Sequence, residues 1–332
     1  MSSARPVVVL ATPVFGAPVT PEMTDRMEAI PGVRVTRISR DGVVHGDAED
    51  TLAQAEVLLR GFIPTATLDH IIERAPRLAW IHSVSAGVDK VVTPLARARN
   101  LQITNARGVF SRPIAEYVVM ACLAIARRLP QLIELQRERT WQPLPGDELG
   151  SRTVGIIGYG SIGAEVARLL APFGPQILAT RRNPDRGSGG IENVELLGLD
   201  GLDRLLAESD FVVLATPLTD ATEGLIGDAE MAKMRPGAWL INIARGRLIN
   251  EQALGRALTA GTIGGAFLDV FDEEPLPAES ALYDLPNLVI TPHTSWSSDR
   301  VAERGLEVFL ANLARYVSGE PLENVVDLEA GY

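Results

Sequence analysis

Short runs of β-branched and aliphatic residues recur along the whole chain, and a stretch long enough for a helix separates most neighbouring pairs. The first series is VVVL from Val7, VRVTRI from Val33, VLLRG from Val57, LAWIHSV from Leu78 and LQITNA from Leu101. Parallel strands cannot be joined by a tight turn and need a crossover, so this alternation predicts a parallel sheet covered by helices. A second series follows: TVGIIG from Thr153, QILAT from Gln176, FVVLAT from Phe211, AWLINIA from Ala238, GGAFLDV from Gly264 and NLVIT from Asn287. A chain of 332 residues exceeds what one core fills. The two series therefore predict an α/β protein with two doubly wound parallel-sheet domains. Between them, residues 112–136 read as one connecting helix, broken by Pro143, Pro145 and Gly146. Residues 299–317 read as a last helix able to pack back on the first half, and RNPDRGSGG from Arg182 as a polar loop.

Charge and patterning remove several classes of function. Phosphate contacts need clustered basic residues, whereas 31 scattered Lys and Arg face 42 Asp and Glu for a net charge of −11, so no nucleic-acid partner is expected. The most apolar helical stretch, around residues 117–126, is flanked by Glu116 and Arg127 and falls short of the ~18 apolar residues of a membrane span, so no membrane partner is expected either. The apolar run Val7–Ala11 is too short for a secretory signal and reads as a first strand, which makes the protein cytoplasmic. The single cysteine, Cys122, lies in the apolar helical stretch and reads as a small buried hydrophobe.

The strongest local signal is GYGSIG, with Gly158, Gly160 and Gly163 where an apolar strand ends and a helix opens. A dinucleotide site needs those glycines for a tight turn, close approach to the pyrophosphate, and close helix–strand packing. The helix N-terminus then offers N–H groups to the phosphates. At the end of the next strand, where a carboxylate would accept from a ribose 2′-hydroxyl, stand Thr180, Arg181 and Arg182. Two guanidinium groups suit a 2′-phosphate, which points to NADP(H) with NAD(H) also possible; read otherwise, they are solvated loop charges.

Four histidines make the search for a proton donor short. His45 falls in a polar turn, His70 on an amphipathic helix and His82 within a strand, all positions that suit structure or solvent. His293 follows Pro292 beyond the carboxyl end of NLVIT, where open parallel sheets place their ligands. Asp269 and Glu274 stand at and beyond the end of GGAFLDV, and Arg245 just beyond AWLINIA. A guanidinium to grip a carboxylate and polarise a carbonyl, an imidazolium to protonate it and a carboxylate to keep the imidazole charged are the set that hydride transfer to a carbonyl requires. No metal site is expected.

These residues, together with SAGVD from Ser85, NARGVFSRPIAEYV from Asn105, TPLTDAT from Thr216, INIARG from Ile241, TPH from Thr291 and NLARYVSGEPLENVVD from Asn312, resemble the D-isomer-specific 2-hydroxyacid dehydrogenases over nearly the whole chain. The resemblance implies that Arg245, Glu274 and His293 are the catalytic trio, with Arg245 and His293 also contacting substrate. It implies that Asp269 holds the nicotinamide amide and that the loop of Ser85, Ala86, Gly87 and Val88 binds the substrate carboxylate. Cofactor contacts would extend to Tyr159, Ser161, Ile162, Thr216, Pro217, Thr222, Ile243 and Ala244. Residues 1–104 and 295–332 would form a flavodoxin-like substrate domain, and residues 105–294 a Rossmann-type dinucleotide-binding domain inserted in it, with the active site in a cleft between the two. A homodimer through the cofactor domains is the family's usual assembly. Arg181, where many relatives have aspartate, resembles the NADPH-dependent glyoxylate and hydroxypyruvate reductases.

The expected substrate is thus a small 2-oxo acid, with Phe62, Trp141 and Trp296 as candidates for its pocket wall or for packing. Formate dehydrogenases of the superfamily carry glutamine at the position of Glu274, which argues against that activity. The chain ends soon after NVVD, leaving no room for the regulatory domain of many phosphoglycerate dehydrogenases. A dinucleotide-sensing protein of the corepressor kind would keep the same site residues and stays open as an alternative.

Overall fold

In the computed structural model, which describes residues 6–14, 17–41, 49–88 and 90–328, the chain forms two compact units. The first runs to Phe110 and resumes at Ser298; the second, Ser111–Ser297, interrupts it in sequence. His45 lies outside the described residues.

The first unit holds a five-stranded parallel sheet of β1 (Val7–Ala11), β2 (Val33–Arg37), β3 (Ala55–Arg60), β4 (Trp80–Ser83) and β5 (Gln102–Asn105), in the order β2-β1-β3-β4-β5. This is the flavodoxin-like order. Successive side chains of a strand point to opposite faces, and each face is buried under its own helices. Leu10, Leu58 and Ile81 pack with Leu68, Ile71 and Ile72 of the helix Thr65–Arg74. Val9, Val57 and Trp80 pack with Leu306, Phe309 and Leu313 of the C-terminal helix Val301–Ser318, which returns to this unit. His70 is an exposed residue of the Thr65–Arg74 helix.

The second unit holds seven parallel strands: β6 (Thr153–Ile157), β7 (Gln176–Thr180), β8 (Val194–Leu197), β9 (Phe211–Leu214), β10 (Trp239–Asn242), β11 (Gly265–Leu268) and β12 (Leu288–Ile290). Their order is β12-β11-β10-β9-β6-β7-β8, the Rossmann arrangement extended by one strand, and direction of winding reverses between β6 and β9. Ligands of such sheets bind outside the carboxyl ends of the strands at that reversal. Edge strand β8 escapes a reading by hydrophobic runs, because VELL is only half-buried and carries no strong apolar stretch.

The expected connecting helix is in fact two, Ser111–Ala126 and Leu129–Arg137. Pro130 has no N–H to donate to Ala126, and its ring would clash with that carbonyl, so the first helix stops there. Arg128 turns the chain with φ 58°. Helix Ser111–Ala126 packs on the helix Ser161–Leu170. It carries Cys122, which is fully buried, and burial pushes its thiol up to about 12. Among the described residues, no helix is long and apolar enough to cross a membrane.

Candidate active site

The nucleotide end of the site forms where β6 stops. Gly158 takes φ +106°, a conformation open to glycine, and a Cβ there would lie 2.7 Å from the carbonyl oxygen of Ala215, just past β9 across the winding reversal. Gly163 lets helix Ser161–Leu170 sit against Gly158, whereas around Gly160 no described atom stands within 4 Å of where a Cβ would be. The turn is therefore tight behind and open in front, with Ser161 and Ile162 in the first helical turn. This cradle fits a pyrophosphate.

Tyr159 closes one side. Its amide donates to Thr180 O (2.8 Å) and its hydroxyl to Ser188 O (2.9 Å), tying the Gly-rich loop to the turn. Arg181 lies over the Tyr159 ring, 6.0 Å from its centroid, and donates to Gly187 O (3.2 Å). Arg182 follows as an exposed residue, so both guanidinium groups stand just past the end of β7. Beyond β9, Thr222 donates from Oγ1 to Pro217 O (2.7 Å) and accepts from Thr219 N (2.8 Å), which fixes the turn that begins at Thr216.

The reacting end is built on three adjacent strands, β10, β11 and β12. At the end of β10, the fully buried Asn242 accepts from Ala244 N (3.1 Å) and donates to Arg245 O (2.8 Å), an Asx-type clamp on the segment Ile243, Ala244, Arg245. Arg245 donates from Nη1 to Ala244 O (2.7 Å). The next residue, Gly246, presses on the segment beyond β11: a Cβ would stand 1.9 Å from the Phe271 carbonyl carbon. Phe271 N in turn donates to Glu274 Oε1 (3.0 Å), and Glu274 Oε2 meets His293 Nδ1 at 2.7 Å. Both side chains of this pair are part-exposed, 42% for His293 and 36% for Glu274.

His293 adopts φ 48°, an uncommon conformation for a residue with a Cβ. Its amide donates to Asp269 O (2.8 Å) and Thr291 O (3.1 Å). The Asp269 carboxylate, fully buried at the end of β11, accepts from Thr291 Oγ1 (2.7 Å), Thr294 N (2.9 Å) and Ser295 N (2.9 Å). Trp296 caps the turn by donating from Nε1 to His293 O (2.9 Å). Asn242 and Thr291 went unassigned in the sequence although INIARG and TPH contain them; their signal was a short polar side chain where an apolar strand ends.

Ser85, Ala86, Gly87 and Val88 lie in the first unit, in the loop after β4. Ser85 donates from Oγ to Gly87 O (2.7 Å), and Asn105 Nδ2 to Ala86 O (2.8 Å), so the loop is held by its own side chain and by the end of β5. Phe62 is exposed and Trp141 is 99% exposed.

This constellation has relatives. The NAD binding domain of the D-isomer specific 2-hydroxyacid dehydrogenases matches residues 119–295. The chain belongs to this family. As a D-2-hydroxyacid dehydrogenase it is an NAD(P)-dependent oxidoreductase. It is 35% identical over 268 residues to a glyoxylate reductase of Korarchaeum cryptofilum, covering 78% of this chain and 79% of the relative. A D-isomer specific 2-hydroxyacid dehydrogenase of Xanthobacter autotrophicus Py2, solved with NADPH and MES, superposes with a TM-score of 0.84 at 30% identity over 99% of this dehydrogenase and 100% of that chain. An NADPH-dependent glyoxylate/hydroxypyruvate reductase of Sinorhizobium meliloti, solved with NADP and sulfate, superposes with a TM-score of 0.82 at 32% identity, covering 99% and 100%. Among the described residues, no group of three or more His, Cys, Asp or Glu could hold a metal ion.

Proposed function

We propose that this dehydrogenase reduces small 2-oxo acids, glyoxylate and hydroxypyruvate among them, to D-2-hydroxy acids with NADPH, His293 being the proton donor. The observation that carries the proposal is the His293–Glu274 pair: Glu274 takes Nδ1, which leaves Nε2 for proton transfer to substrate. The reduced nicotinamide, when bound, supplies the hydride. Protonated His293 gives its Nε2 proton to the carbonyl oxygen as the carbonyl carbon becomes C–H, and ends as neutral imidazole. The Arg245 guanidinium grips the substrate carboxylate and polarises the carbonyl. Asp269 would receive the nicotinamide amide only with the acceptor capacity that its three donors leave.

Arg181 and Arg182, with no carboxylate at the end of β7, support NADPH over NADH, as do the nucleotides in the Xanthobacter and Sinorhizobium structures. Steady-state oxidation of NADPH and NADH with glyoxylate, hydroxypyruvate and pyruvate tests both halves of the reading. Replacing both arginines with glutamine should raise the KM for NADPH by at least about tenfold, given charge-assisted bonds worth roughly 1.5–3 kcal/mol each, and leave kcat nearly unchanged. A wild-type protein that prefers NADH would refute the cofactor assignment. Absence of turnover with every 2-oxo acid would refute the substrate class.

A homodimer through the second unit completes the proposal. Met120, Leu129, Leu132, Ile133 and Trp141 expose apolar surface on the helix pair and the segment after it, more than scattered surface residues would. Light scattering should give twice the chain mass, and a monomer at micromolar concentration would refute it.

A further inference from the structure

The turn that carries His293 is held from below by a chain of hydroxyls that begins on another element. Tyr117, on the helix Ser111–Ala126, hydrogen-bonds Thr291 Oγ1, and Thr291 Oγ1 bonds Asp269 Oδ1 at 2.7 Å. The direction of the chain follows from the donors. A carboxylate can only accept, so the Thr291 proton goes to Asp269, and the Tyr117 proton must then go to Thr291. Tyr117 also packs its ring edge-on against Phe267 of β11, 5.6 Å between centroids, so the phenol is aimed by packing as well as by its hydrogen bond. Burial pushes its hydroxyl up to about 12, which keeps it a donor at any working pH.

We propose that Tyr117 and Thr291 are positioning residues for His293, acting through the buried Asp269 carboxylate. Asp269 receives three donors, and two of them are the amides of Thr294 and Ser295, the residues just after the histidine. With those amides fixed on one carboxylate and its own amide fixed on the Asp269 and Thr291 carbonyls, His293 has one backbone conformation open to it, the unusual φ of 48°. Such a conformation persists only where its surroundings over-determine it. Thr291 supplies the third donor to that carboxylate, and Tyr117 orients Thr291. Neither residue reaches the reacting atoms; they set where the imidazole stands relative to Glu274.

The inference rests on His293 being the proton donor, and its test has one arm that needs no turnover. Four histidines make 15N-histidine labelling sparse. The His293 Nδ1–H, held on Glu274, should give a downfield proton line in the free protein, assigned by its loss in His293→Asn. In Thr291→Val that line should broaden or vanish, and in Thr291→Ser, which keeps the hydroxyl, it should return. Tyr117→Phe, which deletes one oxygen and keeps the ring, should weaken it. In the kinetic arm Thr291→Val should lower kcat for 2-oxo acid reduction about tenfold and Tyr117→Phe about threefold, with the KM for NADPH unchanged and Thr291→Ser within about twofold of wild type. A line and kcat that survive both Thr291→Val and Tyr117→Phe would overturn the proposal. So would equal losses in Thr291→Val and Thr291→Ser. A wild-type protein that shows the line and no turnover would instead sink the proposed reaction and leave the positioning to be judged by the spectra.

Discussion

His82 and His293 share a chain and a side chain, and each is placed by a parallel sheet, one inside a strand and the other beyond one. His82 lies inside β4, with strands on both sides and helices over both faces. Trp80 donates from Nε1 to Thr104 Oγ1 (2.8 Å), and the same hydroxyl meets His82 Nδ1 at 2.8 Å. His82 Nε2 is buried without a hydrogen-bond partner among the described residues, with the Phe309 ring beside the imidazole at 5.3 Å between centroids. Burial pushes the imidazole down to about 3. His293 stands past the end of β12, part-exposed, with a carboxylate on Nδ1. A strand interior excludes charge and uses the ring as packing, whereas the turn beyond a strand can give one nitrogen an anionic partner and leave the other for chemistry.

The largest effect expected from this contrast is catalytic. His293→Ala should lower 2-oxo acid reduction at least about 100-fold, the usual worth of a general acid, while NADPH binding followed by fluorescence stays close to wild type. His82→Gln should keep turnover. Near wild-type rates in His293→Ala across neutral pH would erase the distinction between the two rings.

A smaller effect concerns stability in acid. The folded state holds His82 neutral with its imidazole down to about 3, and the unfolded chain protonates it near 6.5. The stabilisation is therefore complete above pH 6.5 and is lost as pH falls from 6.5 towards 3, because the unfolded state binds the proton first. At pH 4.5 the loss from this group alone should approach roughly 3 kcal/mol. Urea denaturation at pH 7.5 and 4.5 measures it: wild type should lose more stability than His82→Gln between the two. Equal losses would mean that His82 contributes nothing to acid sensitivity.

Much of the architecture was legible because parallel strands buried on both faces are nearly continuous apolar runs. VVVL, QILAT and FVVLAT could be little else. The misses have local causes. Edge strand β8 has one face half-open, and Pro130 broke a helix whose apolar period ran on through it. In the site, Arg245, Glu274 and His293 were readable from their places just beyond strands. Tyr117 was not, because its partner Thr291 lies 174 residues away and no pattern along one strand or helix links the two. Nor could Asn242 be told from any other polar residue ending a strand before its clamp on Arg245 was seen.

Cys122 has a practical consequence. It is the chain's single thiol, fully enclosed in the helix Ser111–Ala126 and held protonated by that enclosure. Alkylating reagents attack thiolates that they can reach, so to a maleimide the folded protein is a blank surface. One cysteine introduced at an exposed position would be its sole attachment point, and a dye, spin label or support could be placed on the native chain with no background substitution to remove a competing sulfur.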